Sequence, residues 1–271
     1  MNYPYGKNVF LTGGSSGIGL SSASLLAKNG YTVYAASRSP QAKTQTFPGG
    51  GGLVHVKMDV CDDISVEKAI DNLLQKTDIG IIIHSAGIGI ACPGENFPSK
   101  SVLRLMDTNF LGVLRVNSRL LPHLRKRGGG ICIMVSSVAG LFPIPYQSHY
   151  CSSKSALEAY AGALRMEVSN LNIKISLVLP GDTNTGFTHS RSYEFDENSP
   201  YHGACLKAVS KMEKDELAGR PPESVARIIH KLCHKKNPPF RSIVGFDYKF
   251  LAFLRRFLPD RLTLYILNKM Y

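Results

Sequence analysis

Tyr150 and Lys154 stand four residues apart in a stretch of helical character, Tyr150-Cys151-Ser152-Ser153-Lys154. That interval puts both side chains on one face of a helix. An ammonium beside a phenol stabilises the phenolate, so the pair predicts a tyrosine pKa drawn down from about 10 towards the working pH. A general acid/base needs that tuning. Taken alone, the pair is also what an exposed helix face would carry. Ser136-Ser137-Val138-Ala139-Gly140, a little earlier, follows an apolar run of strand character. In open α/β sheets ligands bind beyond the carboxyl ends of the strands. A Ser137 hydroxyl placed there can hydrogen-bond a substrate oxygen while Tyr150 exchanges its proton.

A second constellation lies near the start of the chain, Thr12-Gly13-Gly14-Ser15-Ser16-Gly17-Ile18-Gly19 between a strand and a helix. Gly13 permits a sharp turn, Gly17 a close approach of backbone to a pyrophosphate, and Gly19 close contact of helix with strand. The free N–H groups of Ser15, Ser16 and Ile18 at the helix start, with its partial positive charge, suit phosphate oxygens. A tight turn whose glycines serve packing alone is the plainer alternative, and the strand–turn–helix context argues against it. At the end of the second strand an acidic residue would accept the ribose hydroxyls of NAD. This chain has Ser37-Arg38 instead. With no carboxylate to repel a 2′-phosphate, and a planar fork of donors to hold it, NADP(H) is the expected dinucleotide.

The elements that must position these residues alternate along the chain. Residues 8–12, 32–37, 54–60, 80–84, 131–136, 173–179 and 241–246 are short apolar runs rich in β-branched side chains. Near-continuous hydrophobicity marks strands buried on both faces of a parallel sheet. Helical period occupies residues 16–28, 65–75, 108–126, 148–170 and 222–235. Alternating βα units predict an α/β fold, a doubly wound parallel sheet of about seven strands with helices on both faces. The glycine runs at 49–52 and 128–130 are too short for linkers, so residues 1–271 read as one domain.

Composition narrows the function classes. The 271 residues are 44% hydrophobic and 19% charged, which excludes a disordered chain or a collagen-like one. No apolar run approaches the ~18 residues of a membrane span. Neither a signal peptide nor a CxxC pair is evident, and six scattered cysteines read as reduced thiols, so a cytoplasmic location is expected. Lys and Arg number 32 against 20 acids, a formal charge of +12 that favours anionic ligands. The basic residues are dispersed and no nucleic-acid motif is present, so nucleic acid is not an expected partner. His230, Cys233 and His234 have no second ligand pair, and no metal site is expected.

These motifs together resemble the short-chain dehydrogenase/reductase family, in its compact single-domain form, closely over about residues 8–185 and in outline throughout. The resemblance implies a Rossmann-like fold and assigns further residues. Asp59-Val60 corresponds to the strand end that contacts adenine. Asn109 joins Ser137, Tyr150 and Lys154 as a catalytic tetrad, ordering a water through which Lys154 is reprotonated. Lys154 also holds the nicotinamide ribose. Pro180-Gly181, with Thr183 and Thr185, matches the loop that holds the carboxamide. Where the family usually reads Asn-Asn-Ala-Gly, this chain has His84-Ser85-Ala86-Gly87. Ala86 and Gly87 keep the close approach to cofactor, and His84 reads as a satisfied, partly buried histidine and not as a base.

The resemblance implies an NADP(H)-dependent oxidoreductase that interconverts a carbonyl and a secondary alcohol by hydride transfer. Residues 186–220 read as a substrate lid, with Phe187, Tyr193, Phe195, Tyr201 and Met212 suited to a bulky apolar substrate such as a steroid, retinoid or lipid. A reductase of small aldehydes and ketones, and a non-catalytic NADP(H) sensor, are the alternatives. Family members commonly pair as dimers or tetramers through helices equivalent to 108–126 and 148–170. Residues 247–271 form a basic amphipathic extension carrying Phe250, Leu251, Leu254, Phe257 and Leu258. Such a segment either lies peripherally on an anionic membrane or docks on the body or a second subunit. Docking is favoured, since short apolar stripes usually face a core.

Overall fold

The computed structural model describes residues 3–40 and 44–271. Its elements follow in the order β1 (Asn8–Thr12), α1 (Gly17–Lys28), β2 (Thr32–Ser37), β3 (Gln45–Thr46), β4 (Gly52–Lys57), α2 (Asp63–Leu74), β5 (Ile81–His84) and β6 (Ile90–Ala91). Helix α3 (Ser99–Met106) then runs through a π-helical turn, Asp107–Leu111, into α4 (Gly112–Lys126). Next come β7 (Gly130–Val135), α5 (Ser148–Glu167), β8 (Ile173–Pro180), β9 (Ser192–Tyr193), α6 (His202–Leu217), α7 (Pro222–Cys233), β10 (Arg241–Val244), α8 (Phe246–Leu254) and α9 (Asp260–Met270).

Eight strands form one sheet in the order β10-β8-β7-β5-β1-β2-β4-β3, and only the short β3 runs antiparallel to its neighbour. The inner strands show the two-sided burial that their apolar runs demand: every residue of β5 and β7 is buried. Phe10, Ile82, Cys132 and Leu177 point to one face, where α2, α4 and α5 cover them. Val9, Leu11, Ile81 and Ile133 point to the other, under α1 and α7. One-residue alternation therefore feeds two separate cores.

The predicted strands all form, with edges moved for a physical reason. The run 54–60 is β4, which starts at Gly52 and stops at Lys57, because Ser37, its last partner on β2, ends the neighbouring ladder. Asp59 and Val60 consequently lie in the loop beyond the strand. The eighth strand, β3, is two exposed polar residues, with no apolar signal to betray it. Asp62 caps α2 by accepting the Ser65 N–H at 3.0 Å, a contribution of about 1 kcal/mol.

Parallel pairing sends the carboxyl ends of β1, β2, β5, β7 and β8 to the same edge of the sheet. The chain passes from β1 outward through β2 and β4, then returns to place β5 on the other side of β1. That reversal is the topological switch point at which such sheets open a crevice.

Candidate active site

The crevice is a cleft of about 520 Å³, within the roughly 300–1,000 Å³ of small-molecule and cofactor sites. Its walls are the loops that follow six strand ends. Gly13, Ser15, Ser16, Gly17, Ile18 and Gly19 line it after β1, and Ser37 and Arg38 after β2. Asp59 and Val60 line it after β4, Ala86 and Gly87 after β5, and Ser137 after β7. Pro180, Gly181, Thr183 and Thr185 close the far side, and Tyr150 and Lys154 enter from α5. Two expected residues stand behind the wall. Thr12 is buried, its Oγ1 accepting from the N–H groups of Ser85 (3.2 Å) and Ala86 (3.4 Å). Asn109 is also buried, on the π-helical turn, a distortion that recurs at functional sites.

The glycine loop is shaped by contacts that leave no room for a side chain. A Cβ on Gly19 would lie 2.0 Å from the Gly13 carbonyl oxygen. Gly13, at φ +73°, would press a Cβ to 2.7 Å from the Ala86 N–H nitrogen. The backbone is thereby laid flat against the start of α1, whose Ser16 makes no capping hydrogen bond of its own. Buried hydroxyls Ser37 Oγ and Ser136 Oγ, both on the cleft, have no partner among the described residues. An orphaned donor at each end of a glycine-cradled crevice fits a dinucleotide lying along the strand ends.

The reacting end is built on α5 and the β7 end. Tyr150 stands beside Ser137, whose Oγ accepts from the Ala139 N–H at 3.1 Å, and its ring centre lies 5.7 Å from Lys154 Nζ and 5.7 Å from the Phe187 ring. Lys154 is buried and donates to the Val135 carbonyl at 3.2 Å. Burial pulls its pKa down to about 8, opposed by the nearby Glu158 carboxylate. The electrostatics of the tyrosine correct the expectation from spacing. Burial raises the Tyr150 pKa above 10, while the neighbouring Ser137 hydroxyl and Arg191 pull it down by less. The desolvation of the phenolate outweighs both. In the protein alone Tyr150 therefore rests as the neutral phenol.

Asn109 Oδ1 accepts from the Ile88 N–H at 2.8 Å, and its Nδ2 donates to the Ile88 carbonyl and to Ser153 Oγ. The side chain thus pins the stretch after Gly87 to α5. His84 is fully engaged as well, its Nε2 2.9 Å from Asn117 Oδ1, and burial lowers its pKa to about 4. It sits behind the sheet end, away from the cleft.

Past Tyr150 the cleft turns apolar, walled by Ile144, Phe187, Met212 and Tyr271. Of the aromatic residues expected in the lid, Phe187 faces the site. Tyr193 instead bonds Glu213, Phe195 packs with Tyr271 and Met212, and Tyr201 donates to Glu95 at 3.1 Å. Glu216, on α6 and on the cleft wall, accepts from Thr188 Oγ1 at 2.7 Å and pairs with the buried Arg191. Glu216, Arg191 and Tyr271 carry no local sequence signal, since only tertiary packing brings them here.

A family profile described as short chain dehydrogenase matches residues 7–194. The chain belongs to the short-chain dehydrogenase family. It is 36% identical over 267 residues to a 3-ketodihydrosphingosine reductase of Bacteroides thetaiotaomicron, covering 97% of each. It is 31% identical over 270 residues to retinol dehydrogenase 8 of Bos taurus, covering 94% of this chain and 86% of that one. Solved structures repeat the fold: a Burkholderia phymatum short chain dehydrogenase/reductase in complex with NAD has a TM-score of 0.80 at 20% identity over 94% of this chain and 95% of its own. One from Burkholderia cenocepacia in complex with NADP has 0.75 at 20%, over 96% of each. As a short-chain dehydrogenase the chain is an oxidoreductase acting on CH–OH and C=O groups.

Proposed function

We propose that this protein is an NADP(H)-dependent oxidoreductase that interconverts a carbonyl and a secondary alcohol on a bulky apolar substrate. The observation that carries the reading is the convergence of Ser137, Tyr150 and the buried Lys154 on one end of the cleft, with Lys154 Nζ 5.7 Å from the Tyr150 ring centre. A nicotinamide dinucleotide, when bound, supplies or accepts the hydride. The remaining work falls to the chain. The hydroxyls of Tyr150 and Ser137 converge where a substrate oxygen would sit, so both donate to it as its charge grows. Tyr150 then passes its proton to that oxygen. Its high resting pKa keeps the acid form present for reduction, and the phenolate left behind is stabilised by the Lys154 ammonium and the Ser137 hydroxyl.

Arg38 supports NADP(H): it stands exposed at the cleft lip, with no carboxylate beside it at the β2 end and no ion pair among the described residues. Ser37 Oγ, unpartnered and beside it, offers a second donor to a 2′-phosphate. Lys154 would hold the nicotinamide ribose, and Thr183 and Thr185 the carboxamide end. The apolar wall of Ile144, Phe187, Met212 and Tyr271 supports a bulky substrate. The names of the two relatives, a 3-ketodihydrosphingosine reductase and a retinol dehydrogenase, point the same way.

Tyr150→Phe tests the assignment. The variant is expected to bind NADPH with unchanged affinity by fluorescence titration and to lose turnover across a panel of steroid, retinoid, sphingoid and small carbonyl substrates. Wild-type-like kcat in that variant refutes it.

A further inference from the structure

Phe246, Phe250, Phe253 and Phe257 recur every three or four residues, the spacing of one helical face. A stripe of four phenylalanines normally turns inward. Here it turns out: the four are 82, 52, 55 and 71% exposed. The other side of α8 does the docking expected of this extension. Tyr248 closes over Gly181 so tightly that a Cβ there would lie 2.0 Å from its ring, and its hydroxyl bonds the Asp182 carboxylate. Leu254 and Leu258 are half-buried beside it. Helix α9 is open over most of its circumference, with Leu262, Leu264, Tyr265, Ile266 and Met270 exposed and Thr263 buried. Docking on the body therefore accounts for one side of each helix only.

Charge decides what covers the other side. Lys249, Arg256, Arg261 and Lys269 interleave with the exposed apolar residues, while Arg255 packs over the Phe142 ring of the body. The acids of the segment are Asp247 and Asp260, and Asp247 is held by Arg220 at 2.6 Å. A second copy of the chain, brought face to face by a two-fold axis, would set these cations against one another. An anionic bilayer satisfies both features, taking the aromatic side chains below its headgroups and pairing the cations with lipid phosphates and carboxylates. No helix among the described residues is long and apolar enough to cross a membrane, so the contact is at the surface. The face is also continuous with the cleft, because Tyr248 covers the loop after β8 and Tyr271, following α9, lines the apolar end.

We propose that α8 and α9 form a docking face for an anionic lipid bilayer, which seats the apolar end of the cleft against the membrane surface. The docking does not depend on the substrate or cofactor assignment, and its test needs no turnover. Flotation of the full chain with phosphatidylcholine vesicles and with phosphatidylcholine/phosphatidylserine vesicles should show binding to the second set, weakening as salt is raised. Arg256→Ser with Arg261→Ser should weaken it by about fivefold per residue removed. Phe250→Ser with Phe257→Ser should abolish it at any salt concentration. These side chains are exposed, and an unchanged circular dichroism spectrum and thermal midpoint in each double variant confirm an intact fold. Three results overturn the proposal. One is absence of flotation with phosphatidylserine vesicles at low salt. Another is binding that neither double variant alters. The third is a solution dimer that the phenylalanine variant turns into a monomer, which would assign the face to a second copy.

Discussion

His84 lies where the family usually carries asparagine, and it gives the fold a pH dependence that can be calculated. Its ring is buried and hydrogen-bonded to Asn117, whose Nδ2 donates in turn to the Tyr160 hydroxyl at 3.2 Å, linking β5, α4 and α5. Burial lowers the imidazole pKa from 6.5 to about 4. Between those values the unfolded chain binds a proton that the folded one does not, so stability falls as pH drops from about 6.5 to 4. At about 1.4 kcal/mol per unit the whole penalty is about 3 kcal/mol, of which about 2 kcal/mol is present by pH 5. Denaturant unfolding at pH 7 and pH 5, for the wild-type chain and for His84→Asn, reads the difference. The variant starts from a lower stability at pH 7, because it leaves a small cavity, but loses about 2 kcal/mol less on going to pH 5. Other titrating groups contribute equally to both chains and cancel. Equal losses in the two proteins would refute the argument and show that water reaches the ring. The site feels the result, since Ala86, two residues on, abuts Gly13 of the glycine loop.

Further outcomes follow from the same geometry. Gly19→Ala forces a methyl against the Gly13 carbonyl oxygen, and should cost about 1–3 kcal/mol of stability and weaken NADPH in fluorescence titration; unchanged affinity would mean the loop does not form the cofactor cradle. Arg38→Ala should weaken NADPH by about 1.5–3 kcal/mol, the value of a charged hydrogen bond, and leave NADH unchanged in paired titrations. Arg191→Met strands the Glu216 carboxylate, whose side chain is only 17% exposed, and should cost about 3–5 kcal/mol by denaturant unfolding. A loss below about 1 kcal/mol would show that the pair is solvated.

What could be read from the sequence follows the range of the interactions concerned. The glycine loop, the Ser37-Arg38 step and the Tyr150/Lys154 interval are local, and the structure places those residues on one cleft. Strands β5 and β7 announce themselves because burial on both faces leaves only apolar side chains. Helix α3 did not, for its eight residues bury only Val102 and Leu105, too few to set a period. Its π-helical continuation explains why the helix was expected to begin near Thr108. The substrate end was least legible. Arg191, Glu216 and Tyr271 meet there from three separate elements, and no spacing in the chain relates them. The apolar stripe of the extension is legible in Phe250, Leu251, Leu254, Phe257 and Leu258, but which of them turn outward depends on Tyr248 finding Gly181.

The tyrosine shows where local reasoning fails in sign as well as in detail. A cation one helical turn from a phenol should lower its pKa, and in water the inference would hold. Both groups here are buried, and each loses more from desolvation than it gains from its neighbours, so Tyr150 moves up and Lys154 moves down to about 8. The two shifts run opposite to those of a simple ion pair and move the phenol and the ammonium apart: the acid holds its proton more firmly and the base more loosely. Burial therefore favours the neutral phenol as the resting form and leaves the lysine able to release a proton near neutral pH. For reduction this is the useful arrangement, because the donor is present before the substrate oxygen acquires charge. In the oxidative direction the same desolvation opposes ionisation of Tyr150, so the rate of alcohol oxidation should climb with pH over a range in which carbonyl reduction, whose acid form is already present, stays flat. Superimposable pH profiles for the two directions in the wild-type chain would show that the phenol does not carry the proton.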